Sequence, residues 1–146
     1  METYESEKNR FLRFLAEYNA ELEREAASLA GRQKDDEAVF ARIRLNVADI
    51  LEKMFRLSVH NVENGITNPA MLAAVNAGDT KPEQLKAGYL ALCGTITEPW
   101  KQHLLKSREH GDAAKAMIEE IKLETAEKII RAFVGIMEKG ERGNGY

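Results

Sequence analysis

Several features that would mark other protein classes are scarce in this chain. It has one cysteine, Cys93, in 146 residues, so no internal disulfide can form. That suits a reducing cytoplasm. Proline occurs only at 69, 82 and 99, which leaves long stretches free to be helical. Long hydrophobic runs are absent. The longest, Ala70 to Val75, falls far short of the about 20 residues that cross a bilayer. The start, Met1 to Lys8, is polar and acidic, without the basic-then-apolar order of a secretory signal. An excess of charge of one sign is also missing. The 21 basic and 24 acidic residues leave a net charge of −3, a weak field that does not draw polyanions. The expectation is a cytoplasmic protein with no membrane span and no nucleic-acid partner.

Apolar mass, by contrast, is plentiful. Hydrophobic residues make up 44% and charged residues 31% of the chain, which supports a core and excludes a disordered chain. The length predicts one domain over 1–140, with a glycine-rich tail at 141–146.

Helical spacing repeats along the whole chain. Phe11, Leu15, Tyr18, Leu22 and Leu29 fall at steps of about three and four and share one face of a first helix over 3–30. Asp35 and Asp36 open a second, over 36–62, with Phe40, Ile43, Val47, Ile50, Met54 and Leu57 as its stripe, widened by Leu51, Phe55 and Val62. Asn68-Pro69 predicts the start of a short helix at 69–77, ended by Gly78. Thr80 and Glu83 form a capping box for the next long helix, whose stripe is Leu85, Tyr89, Leu92, Ile96 and Trp100. Pro99 lies inside it, so a kink near Thr95–Ile96 or a break is expected. The last helix starts at Asp112 and ends at Lys139, with Ile118, Ile121, Thr125, Ile129, Ala132 and Ile136 facing one way. Gly31, Gly65, Gly78, Gly111 and Gly140 fall at the expected helix stops. No strand alternation occurs. The pattern predicts an all-α fold: an antiparallel four-helix bundle with a short extra helix at about 69–77, between helices 2 and 3.

Groups that could carry chemistry are few. Glu17, Glu21 and Glu25 make an acidic ridge on the first helix. It points away from the apolar stripe and reads as a solvated face. A di-iron bundle needs Glu-x-x-His pairs, and none occurs. Cys93 reads as a small core residue, and no nucleophile elbow or phosphate loop is present. No catalytic residue, metal site or cofactor is assigned. His103 and His110 return to the apolar face of the third long helix with Ser107 between them, so that stripe turns polar after Pro99. Two readings follow. Either these three residues line a polar pocket, or the helix end has left the core and is solvated. The two histidines lie about 10.5 Å apart along the axis, too far to share one metal.

The last helix carries an excess of hydrophobes. Leu123, Ile130 and Met137 recur every seven residues, with Val134 beside them and Phe133 bridging to the core stripe. A second apolar ridge needs a cover, and a homodimer is the simplest one. The leading expectation is therefore a non-enzymatic bundle that acts through self-association or a protein partner, with Leu123, Ile130, Phe133, Val134 and Met137 at the interface. The alternative is a metal- or small-molecule-binding bundle, and in one form a hydrolase, with a polar site at His103, Ser107 and His110.

Overall fold

The computed structural model describes residues 3–31 and 35–143. They form α1 (Glu5–Gly31), α2 (Asp35–Asn64), the short α3 (Pro69–Ala74), α4 (Lys81–Glu109) and α5 (Ala113–Gly143). No strand occurs among the described residues, and no helix there is long and apolar enough to cross a membrane. The expected tail is shorter than 141–146, because α5 continues to Gly143; residues 144–146 lie outside the described ones.

Cross-helix pairs fix the directions. Tyr4 meets Glu63, Phe11 meets Phe55 and Glu25 meets Arg44, so α1 and α2 run antiparallel. Leu51 and Glu63 of α2 meet Tyr89 and Lys81 of α4 in reversed order. Tyr89 meets Phe133 and His103 meets Glu119, which makes α4 and α5 a second hairpin. Phe11 and Tyr18 of α1 meet Phe133 and Lys128 of α5. Helices adjacent around the bundle are therefore antiparallel, and α2 also packs across the middle onto α5.

The core is centred on four rings, one from each long helix: Phe11, Phe55, Tyr89 and Phe133. Every pair among them packs edge to face, with centroids 4.6 to 5.9 Å apart. Such pairs contribute about 0.5–1.5 kcal/mol each beyond their buried area. The Tyr89 hydroxyl donates to the Leu51 carbonyl at 2.9 Å, so the one polar ring atom in this cluster is satisfied.

Local rules explain the joints. Asn61 is buried on α2, and its Oδ1 accepts from the backbone of Thr67 and Asn68, which folds the connection back. Asn68 then caps α3, and α3 places Met71, fully buried, against α4 where Gly88 leaves it room. Thr80 and Glu83 form the capping box read from the sequence. Gly65, Gly78 and Gly111 have φ of +100°, +90° and +66°, which suits the absence of a Cβ. Gly140 is instead inside α5, so it is not a stop, while Gly31 is the last described residue of α1.

One sequence alternative is decided and two expectations are corrected. α4 is unbroken through Pro99, which removes the expected break. Pro99 and Thr95 are both exposed, so the Thr95 carbonyl that loses its N–H partner faces water instead of an apolar core. On α2 the expected Val47, Leu51, Phe55 and Val62 are buried, joined by the small Ala41, Ala48 and Ser58, while Leu57 is 36% exposed. The small residues let neighbouring helices approach, and a count of large hydrophobes passes over them. On α5 the second ridge is not a free surface. Phe133 and Met137 are 0% and 3% exposed inside the chain, and Ile130 and Val134 pack against the core. The reason is that α5 packs against α1, α2 and α4 together, so its apolar arc is wide. Its residues Ile121, Thr125, Ile129, Phe133 and Met137 are all buried. That four-residue row winds around the helix by about 40° per step.

Candidate functional site

The core shared by all four long helices ends where side chains shrink and turn polar. Beyond Leu22, Val47 and Thr97, the first hairpin has its own small cluster of Ala26, Leu29, Ala38 and Ala41. The second hairpin has no apolar equivalent. Along the inner face of α4, Trp100 is half-buried, His103 exposed, Ser107 buried and His110 exposed.

The turn between α4 and α5 is tightly specified. His110 closes α4, its backbone N–H reaching the Lys106 carbonyl at 3.0 Å. Gly111 takes the left-handed conformation, and the Asp112 N–H bonds the Ser107 carbonyl at 2.8 Å, the bond pattern of a glycine-ended helix. Asp112 then caps α5, accepting from the Lys115 N–H at 3.1 Å. His110 Nδ1 lies 2.7 Å from the Lys106 carbonyl. A carbonyl only accepts, so Nδ1 carries the proton and Nε2 is the atom left for other contacts.

These elements enclose a concavity of about 380 Å³, lined by His103, Lys106, Ser107, His110, Lys115 and Glu119 among others. The three residues singled out from the sequence thus share one site, and the helix end is neither wholly in the core nor wholly solvated. Glu119 is the residue that sequence reasoning missed. It is 9% exposed. Its Oε1 lies 3.4 Å from Lys122 Nζ and 3.9 Å from His103 Nδ1, the second distance being too long for a hydrogen bond. Its Oε2 is enclosed and has no hydrogen-bond partner. A buried acceptor in that state costs about 1–3 kcal/mol, more when charged. The available signal was positional: Ala116 and Glu119 extend the Leu123–Ile130 ridge backward, and that ridge faces α4.

No protein-family model, curated protein or solved structure matches this chain.

Other candidates are less concentrated. Glu17, Glu21 and Glu25 are exposed, and Glu25 pairs with Arg44 of α2 at 3.7 Å. Glu21 and Glu25 border a groove of about 280 Å³ with Glu124 and Lys128. Among the described residues, no group of three or more His, Cys, Asp or Glu is placed to hold a metal ion. Burial pushes the Cys93 thiol up to about 12, which leaves it protonated and inert at neutral pH. Ser107 makes no hydrogen bond to either imidazole among the described residues, so the pair needed for an activated nucleophile is not assembled. Leu123 is half-buried on α5, and His60 is exposed at the other end of the bundle.

Proposed function

We propose that this chain is a non-catalytic binding protein that holds a small polar molecule between α4 and α5, at the tip of the second hairpin. The observation that carries the reading is Glu119, a buried carboxylate with one oxygen unsatisfied, on the wall of a concavity lined by other polar groups. A fold that only needed stability would gain by an apolar residue there, as the first hairpin does with Leu29 and Ala41. Native proteins keep such groups where they serve a purpose beyond packing. The absence of an activated nucleophile favours binding over hydrolysis.

Amide chemical shifts of the full ¹⁵N-labelled chain test this. Titration with amino acids, small carboxylates and inorganic phosphate is expected to move resonances clustered within 100–122. Shifts that are absent, or spread evenly over all four helices, would remove the reading. Self-association through α5 has lost two of its five residues to the core.

A further inference from the structure

The pocket is lined by Glu119 on one wall and, toward the turn, by Lys106 and Lys115 with the single carboxylate of Asp112, and that arrangement points to the kind of molecule that fits. We infer that the site takes a small zwitterion, a molecule with an amine at one end and an acid group at the other; this rests on the binding role proposed above. One wall holds Glu119, an anion with an enclosed oxygen that no donor reaches. What satisfies it is an N–H donor, best a charged one. The other side presents cations. Lys106 is exposed and has no ion-pair partner among the described residues. Lys115 is exposed and, among the described residues, reaches only Asp112, at 3.9 Å. The free Nε2 of His110 adds a third polar position.

The spacing sets a length. Lys115 lies four residues before Glu119 on the same face of α5, which separates the two by about 6 Å along the axis. A ligand with charges a few ångströms apart reaches both ends at once. A simple anion would meet the lysines and leave Glu119 Oε2 without a donor. A simple amine would meet Glu119 and be repelled by Lys106 and Lys115. His103, 60% exposed in its side chain and 3.9 Å from Glu119 Oε1, is a neighbour at the Glu119 end that no hydrogen bond to the carboxylate holds in place.

Calorimetry and amide shifts of the full chain with the linear ω-amino acids, glycine to 6-aminohexanoate, test the inference. Each is compared with the matching alkyl carboxylate and alkyl amine. The expected result is one preferred length that binds about tenfold or more tightly than either one-ended probe, the gain from a charge-assisted hydrogen bond at the second end. Glu119→Gln should remove the advantage over the carboxylate. The double change Lys106→Met and Lys115→Met should remove the advantage over the amine. All variants are checked for the wild-type helical circular dichroism, and the exposed lysines keep a readout if Glu119→Gln unfolds. If carboxylates bind as well as zwitterions at this site, the inference fails while the pocket stands. If none of these probes moves residues 100–122, both fail.

Discussion

Tyr89 shows how one side chain serves packing and titration together. Its ring touches the three other core aromatics, and its hydroxyl donates to Leu51. Tyr89→Phe keeps the ring and loses the bond, so urea unfolding should show a loss of about 1 kcal/mol. Phe133→Ala removes a fully buried ring and should cost about 3–5 kcal/mol. The same region governs behaviour in alkali. Burial raises the ionisation of both Tyr89 and Cys93, the latter to about 12. Below the ordinary thiol range, folded and unfolded chains both hold the Cys93 proton, and the stabilisation is complete. Above it the unfolded chain releases that proton while the folded chain keeps it until about pH 12. Unfolding then releases protons, and stability falls as pH rises through that window. Cys93→Ala and Tyr89→Phe should each make the fall between pH 8 and 11 shallower, read as urea midpoints across that range. An unchanged slope in both would assign the alkaline loss to other groups.

The helices were legible because each carries its own punctuation. The capping box at Thr80, the Asn68-Pro69 start and the Gly111–Asp112 turn are local chemistry, and local chemistry is written in neighbouring residues. The buried face of α1 was legible for the same reason: Phe11, Leu15, Tyr18, Leu22 and Leu29 all face the core. What could not be read was the number of neighbours a helix would have. α5 packs against three helices, so a ridge that looked surplus is internal. His103, Ser107 and His110 were placed on one face by periodicity alone. Glu119, on another helix, entered the site only once the hairpin was closed. Pro99 offers a test at this scale. It sits exposed within an unbroken α4, where a proline forgoes one backbone bond and costs up to about 3 kcal/mol. Pro99→Ala should therefore raise the urea midpoint, by about 1–3 kcal/mol in stability. A lower midpoint would mean that α4 is shaped around the proline.

Across the whole molecule, the two ends of the bundle are held differently. At one end Tyr4 and Lys81 both donate to Glu63, joining α1, α2 and α4, and α3 adds Met71 to the core. At the other end the hairpins keep separate contacts, and the polar pocket lies there. The wide apolar arc of α5 makes a prediction about self-association. Met137→Glu puts a carboxylate into the core and should unfold the chain or cost more than about 3 kcal/mol. Ile130→Glu, at a half-buried position, should leave it folded. Circular dichroism melts with light scattering would separate the two effects. If Met137→Glu folds normally and only changes the solution mass, that residue belongs to an interface and not to the core. The single tryptophan gives the pocket end a further property. Lys122 lies over the Trp100 ring, 5.7 Å from its centre, and also reaches Glu119 at 3.4 Å. An ammonium so close to an indole alters its emission, and any occupant that draws Glu119 away changes how Lys122 is held. The proposed pocket thus comes with its own optical gauge: if it takes an occupant, Trp100 emission is expected to report filling and emptying in real time, without a label.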